Sequence, residues 1–275
     1  MKNICFIISL LFLSFVFYPA GYPGNEQTIK DFYLSNFQND GSSDWEIKGK
    51  EAVINGDLID IQTMDANYYL DKDTIFVKSD QAKLNKKNQN IWLNGNVEIK
   101  NQEGWNLKTD CLNWQRTKNQ IKTDSRVETE KDSLLVKAKG LDADSQLKTA
   151  DFKEDVQVSY QEKDQQDATT ITCSGPLEVD YNKGQATFKE NVVVNHKQGK
   201  LFSDLATLFF DTKEKKIIKI ISQGHVKIVR DSNVTFAEKA IYLAEEEKLI
   251  LEGSPRLIYF PEENDNGSSG FFGID

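Results

Sequence analysis

One phrase of residues recurs along this chain, and it limits the fold more than any other feature does. Its clearest copy runs from Leu201 to Val229: Leu-Phe-Ser-Asp-Leu-Ala-Thr-Leu, a charged turn at Asp211–Lys216, then an apolar run ending Gly224-His225-Val226. Val77-Lys-Ser-Asp-Gln-Ala-Lys-Leu84 leads likewise to Gly95-Asn96-Val97, and Leu107-Lys-Thr-Asp110 to Ser125-Arg126-Val127. Val136-Lys-Ala-Lys139 leads to Glu154-Asp155-Val156, Ile171-Thr-Cys-Ser174 to Glu190-Asn191-Val192, and Phe236-Ala-Glu238 to Gly253-Ser254-Pro255. A fainter first copy starts at Trp45. With Val97, Val127, Val156, Val192 and Val226 as phase markers, the steps are 30, 29, 36 and 34 residues. A drifting period of this size marks a repeat architecture in which each unit buries its apolar face on the next.

Each unit reads as two strands. Ile91-Trp-Leu-Asn-Gly-Asn-Val-Glu-Ile-Lys100 puts apolar residues at odd positions and mostly polar ones at even positions, and Val156-Gln-Val-Ser-Tyr160 does the same. Period-two alternation sends one row of side chains to a core and the other to water. Turn chemistry stands at the joins: Lys86-Lys-Asn-Gln, Tyr181-Asn-Lys-Gly, Asp211-Thr-Lys-Glu and Ala244-Glu-Glu-Glu. The expectation is all-β: a long antiparallel sheet folded on itself, of about fourteen short strands.

The chain of 275 residues carries a formal charge of −9, which argues against a nucleic-acid partner. Its basic residues read as scattered through the turns, with no patch. Lys2 precedes an apolar run from Ile4 to Tyr18. As a helix that run spans about 22 Å, short of the roughly 30 Å hydrocarbon core. It predicts a signal-peptide core or, with Pro19–Tyr22 in the interface, an uncleaved anchor; either routes the chain across an inner membrane. The organisation expected is a signal or anchor over 1–22, a linker over 23–44 with a short strand at Ile29–Phe37, repeat units over 45–165 and 166–261, and a disordered polar tail over 262–275. Glu162–Ala168 is the expected boundary between the units. Cys111 and Cys173 fall at different phases and read as two small buried hydrophobes.

No catalytic constellation emerges. His196 and His225 lack metal-ligand partners at i+2 or i+4, and no nucleophile elbow or phosphate loop is present. Asp80, Asp110, Asp204 and Glu238 recur at one place in their units. Equivalent positions in a repeating sheet lie a unit apart, so these acids are expected to shape strand starts or bulges rather than to gather around a metal. Trp45, Trp92, Trp105 and Trp114 all fall in the first half. Core aromatics are the simpler reading, a carbohydrate platform the alternative. The expectation is no enzyme, no cofactor and no metal.

Particular stretches resemble a known family. Trp45-Glu-Ile, Ser79-Asp, Leu93-Asn-Gly-Asn-Val-Glu-Ile, Gly104-Trp-Asn-Leu-Lys-Thr-Asp-Cys-Leu-Asn-Trp114 and Ile121-Lys-Thr-Asp-Ser-Arg-Val127 resemble the periplasmic region of LptC. Gly175-Pro-Leu-Glu-Val-Asp180, Ala186-Thr-Phe-Lys-Glu-Asn-Val192, Gly199-Lys-Leu-Phe-Ser-Asp-Leu-Ala206 and Ile220-Ile-Ser-Gln-Gly-His-Val226 are similar to the OstA-like domain of LptA. The resemblance implies an elongated, twisted antiparallel β-jelly roll, an open V of two sheets behind an N-terminal hydrophobic helix. Trp45 to Tyr259 is shorter than two complete family domains, which leaves one continuous jelly roll or a shortened fusion.

The function so implied is non-enzymatic. A periplasmic protein, tethered through residues 4–18 or released, would carry lipopolysaccharide or a similar glycolipid toward the outer membrane, with lipid A acyl chains in an apolar groove. The implied partners are the inner-membrane ABC transporter of the Lpt system and LptA- or LptD-like jelly rolls joined by edge-strand addition. Groove candidates from the alternation are Leu93, Val97, Ile99, Leu107, Val127, Val156, Val158, Leu177, Val192, Val194, Val226 and Ile228. The last strand, Arg256, Leu257, Ile258, Tyr259 and Phe260, is the candidate interface. The rival readings are a ligand-free β-solenoid scaffold and an extracytoplasmic carbohydrate-binding β protein.

Overall fold

The computed structural model describes residues 26–259 apart from 39, 71–72, 162–167 and 215. The expected anchor over 1–22, the boundary stretch 162–167, Phe260 and the tail over 262–275 lie outside the described residues. Among the described residues no helix is long and apolar enough to cross a membrane.

The strands are β1 (Gln27–Phe37), β2 (Ser43–Asn55), β3 (Leu58–Leu70), β4 (Asp73–Asn85), β5 (Asn90–Asn101), β6 (Asn106–Gln115), β7 (Gln120–Lys131), β8 (Leu134–Asp144) and β9 (Thr149–Gln161). They continue as β10 (Ala168–Cys173), β11 (Leu177–Asp180), β12 (Gln185–His196), β13 (Gly199–Asp211), β14 (Lys216–Arg230), β15 (Asn233–Leu243), β16 (Lys248–Glu252) and β17 (Arg256–Ile258). A 3-10 turn, Arg116–Lys118, follows β6. All seventeen strands belong to one sheet, each pairing antiparallel with its successor in the chain as far as β9. β10 and β11 then lie end to end between β9 and β12, so the ladder crosses from the first repeat units to the later ones without a gap.

The turns stand where the sequence placed them, closed by short side chains. Asn85 Oδ1 accepts from the Lys87 amide at 2.9 Å, and Asp211 Oδ1 from the Lys213 and Glu214 amides at 2.7 and 2.8 Å. Two expectations need correction. Within 23–44, the short strand expected at Ile29–Phe37 is longer: β1 pairs with β2 from Gln27 to Phe37. Among the described residues the strands also number seventeen rather than about fourteen, and most are long. The Gly-Asn-Val and Gly-His-Val phrases do not end a strand: they bulge it in the middle, and pairing resumes beyond.

Those bulges form a line across the sheet. The register shifts between Lys78 and Gln81, Asn94 and Val97, Thr123 and Arg126, Lys189 and Val192, Phe202 and Leu205, and Gln223 and Val226. An extra residue in one strand bends it and sharpens its twist. The line therefore divides the sheet into two arms that fold onto each other. Tyr68 is level with Ile75 on β4, and Trp114, through Ile91, with Leu84 on the same strand. Nine residues along a flat strand would separate them by about 30 Å; instead their rings meet edge to face at 4.7 Å.

The resulting V is filled unevenly. One cluster of buried side chains extends from Phe32 to Ala206 and includes Ile47, Ile61, Ile91, Leu93, Leu107 and Leu141. Small residues, Ser79, Thr109, Thr123, Ala138, Ser203 and Ser222, are buried along the bend line, where the arms converge. On β13 and β14 the inward side chains Leu201, Leu208, Phe210, Ile220 and Ile228 are only half-buried.

Candidate functional site

Inward rows of side chains run across the strands from one end of the sheet to the other. In one arm the ladder aligns Leu34, Ile47, Ala66, Val77, Ile99, Leu107, Thr129 and Val136, each opposite the next. It continues through Val158, Ile171, Val194, Leu201, Ile228, Thr235 and Leu257. Only two of these fifteen positions are polar, both threonine. The second arm carries Leu93, Leu141, Phe152, Leu177 and Phe188 in the same way.

The alternation candidates all face this seam. Leu93, Val97, Ile99, Leu107, Val127, Val156, Val158, Leu177, Val192 and Val226 are buried, and Val194 and Ile228 half-buried. Leu208, Phe210 and Ile220 share the inward face at its half-open end but escaped the sequence reading. Ile217-Ile-Lys-Ile-Ile221 is apolar at both parities, so alternation could not say which isoleucine turns inward.

Two contacts tie the arms together along the filled part. Arg116 sets its guanidinium 4.7 Å over the Tyr68 ring and reaches Asp44 Oδ1 at 3.4 Å, 72 residues away in sequence. Burial pushes the Tyr68 phenol well above its ordinary range, although the neighbouring Arg116 cation pulls the other way. Lys131 lies 4.9 Å from the Trp105 ring and 5.5 Å from Tyr181, which belongs to the opposite arm. No periodicity links these residues, so the sequence offered no signal for them.

The recurring acids stand on the bend line. Asp80 faces Gly95-Asn96 and accepts from Asn96 Nδ2 at 2.8 Å; Asp204 faces Gly224-His225, with His225 Nδ1 at 2.7 Å; Glu238 faces Gly253. Gly95 and Gly224 both adopt φ of +76°, the left-handed region that a Cβ disfavours. Trp114 is buried, Trp45 and Trp105 pack against the core, and Trp92 is exposed on the outer face. Of the two cysteines, one departs from expectation. Cys173 is buried, which raises its thiol pKa, whereas Cys111 is exposed at the β6 bulge with Sγ 2.9 Å from Ser125 Oγ. The register shift there turns it outward.

The outer face over β3–β8 is stitched by alternating charge: Asp65, Lys78, Glu98, Lys108, Glu128 and Lys137 stand opposite one another in turn. Lys78–Asp65 closes at 3.3 Å and Lys137–Glu128 at 3.0 Å. A recess of about 690 Å³ on this side is lined by Lys108, Arg126 and Lys139 against Glu98, Asp110 and Asp155, so it is polar and separate from the apolar seam. The last strand leaves Leu257 and Ile258 exposed at the sheet edge, with Tyr259 exposed just beyond it.

Comparison with known families divides the chain in the same order as the sequence motifs. The family model described as lipopolysaccharide-assembly, LptC-related, matches residues 24–161. That described as LptA/(LptD N-terminal domain) LPS transport protein matches residues 170–270. No curated protein matches the chain.

Proposed function

The chain belongs to the LptC-related family of lipopolysaccharide-assembly proteins, and from that premise we propose that it is a non-enzymatic carrier holding lipid A acyl chains in the seam of its folded sheet. In this reading it works in the periplasm, takes lipopolysaccharide from an inner-membrane ABC transporter and passes it toward the outer membrane. The observation that carries the reading is the inward apolar row from Leu34 to Leu257. It runs through Val158 and Ile171, from the LptC-type unit into the LptA/LptD-type unit, without a change of face. Each acyl CH₂ moved from water into such a row contributes about 0.8 kcal/mol, so several chains bind without any charged site. The half-open stretch at Leu208, Ile220 and Ile228 is where a chain finds apolar surface not already covered.

Photo-crosslinking side chains at Leu208, Ile220 and Ile228 should capture lipopolysaccharide in cells that make it. The same probes at Glu98, Lys100, Glu128 and Lys227, which face outward, should not. Capture only from the outward set would reverse the faces, and none at any position would leave a scaffold with a closed interior.

The free edge at β17 is the proposed docking strand for a second jelly roll. Arg256, Leu257 and Ile258 are exposed there, and strand edges without a neighbouring strand template further pairing. Ile258→Pro removes one donor and blocks ladder extension. It should abolish edge-to-edge complexes in light scattering while leaving the monomer folded, because β17 contributes only three residue pairs to its own sheet. Normal assembly by this variant would move the interface elsewhere.

A further inference from the structure

The ladder has a direction, and its two ends share it. β9 enters at Thr149, in the arm of Leu93 and Leu177, and leaves at Gln161, in the arm of Leu34 and Leu257. β10 and β11 together run the opposite way, broken on the bend line at Ser174-Gly175-Pro176. β16 and β17 likewise make one interrupted strand against β15, broken at Gly253-Ser254-Pro255, and they run as β9 does. β1 runs that way too, from Ile29, level with Leu93 in one arm, to Leu34 in the other. Each proline stands at a break, where the ladder loses no donor to it.

Strand counting explains the shared direction. With each interrupted pair counted once, β1–β9 fill nine places in the ladder and β10–β17 fill six. Every pairing among the described residues is antiparallel. An odd number of places leaves the last strand running like the first, and an even number reverses it. The LptA/LptD-type unit therefore ends on a copy of the edge that it covers at β9. The likeness extends to side chains. Leu257 stands on the inward row of Val158, and Leu251 is level with Phe152 in the other arm. Beyond Val158 and Phe152 lie Ile171 and Leu177. Among the described residues no strand lies beyond β16 and β17, which pair only with β15.

We propose that the β16–β17 edge takes a further jelly roll by a first strand of the β10–β11 sense, in the register of β9, and that a second copy of this chain does not fit there by its own first strand. This rests on the docking role proposed above for the same edge and adds the partner's polarity. The β1 strand of a second copy would lie parallel to β17, in a ladder that is otherwise antiparallel and with pairing that is less stable per residue. A strand of the β10–β11 sense lies antiparallel and carries both inward rows onward. With the β9 register it sets the counterpart of Ile171 beside Leu257, of Thr170 beside Ile258 and of Val179 beside Leu249. The counterpart of Asp180 then stands opposite Lys248, a favourable cross-strand pair of charges.

The test uses the full chain and two synthetic peptides, Ala168–Tyr181 carrying Cys173→Ser, and Gln27–Phe37. A photo-crosslinker at Ile258 should join the first peptide near Thr170, and one at Leu249 should join it near Val179; the two together report antiparallel addition. The Gln27–Phe37 peptide should not be captured, and the full chain alone should give no crosslink from position 258 to β1 of another copy. Ile258→Pro, with the crosslinker at Leu249, should lose the capture. No capture of the first peptide, equal capture of both, or joining in the reverse order would overturn the proposal. A crosslink from position 258 to β1 or β17 of another copy would also overturn it, while keeping this edge as the interface. Capture that survives Ile258→Pro would instead remove the edge as the docking site, and the reading above with it.

Discussion

Leu107→Asp should unfold the chain at room temperature, whereas Ile228→Asp should leave it folded and unable to hold lipid. Both residues lie on one inward row, but in different surroundings. Leu107 is 1% exposed, in the filled part of the V where Arg116 and Lys131 tie the arms together. Removing a buried leucine side chain costs about 2–5 kcal/mol, and an unpaired carboxylate in its place adds several more. That sum is comparable to the whole stability of a typical domain, about 5–15 kcal/mol. At Ile228 the side chain is half-buried, so a carboxylate there can keep part of its hydration, and the cost should be about 1 kcal/mol. Urea denaturation followed by circular dichroism reads the first difference. Lipopolysaccharide capture from a photo-crosslinker at Leu208, in the Ile228→Asp background, reads the second. Equal stability losses at the two sites would mean that β14 is packed as tightly as β6, and the half-open end would lose its role.

The contrast between those two residues also marks how far the sequence could be read. Leu107 and Ile99 were legible as inward because their neighbours are polar, and the turns were legible because Asn85 and Asp211 announce them. The phase markers were legible as a period, and each stands just beyond a mid-strand bulge. What the bulges do was not. Alternation runs straight through the Gly-Asn-Val phrase of Ile91–Lys100, and only the ladder shows that the register shifts there. Contacts across the fold were invisible for a different reason. Asp44 and Arg116 meet because two bent arms close on each other, which no local pattern encodes. The outward cations of β13, β14 and β17 are a third case. Lys200, Lys227 and Arg256 are scattered in sequence, and strand register alone gathers them. Alternation thus reports facing within one strand, while the seam, its ties and the outward charge rows arise between strands.

The recurring acid and the glycine opposite it should behave as one unit, which a double-mutant cycle can measure. At Gly95 the backbone holds φ at +76°, and an added Cβ would stand 2.6 Å from Asp80 Oδ2 and 2.9 Å from Asp80 Cβ. Gly95→Ala therefore carries two costs. The left-handed conformation with a Cβ accounts for about 1–2 kcal/mol, and the collision with Asp80 adds about 1–3 kcal/mol more. Asp80→Ala removes the carboxylate and its bond from Asn96 but keeps the Cβ, so it should relieve only part of the collision. Asp80→Gly removes the Cβ as well. In that background Gly95→Ala should cost only the conformational share, giving a coupling of about 1–3 kcal/mol between contacting residues. Thermal or urea unfolding of the four proteins in each cycle supplies the numbers. Gly224 and Asp204 repeat the arrangement on β13 and β14, with the Asp204 carboxylate again lying where a Cβ at Gly224 would go. A coupling of the same sign there would establish the acid-over-glycine pair as the element that bends successive strands. Because that bend folds the arms into a V, a strand straightened by the Ala–Asp collision should also lose lipid capture from the inward row. Additive costs at both sites would reduce the acids to solvated bulge residues and leave the bend to the backbone alone.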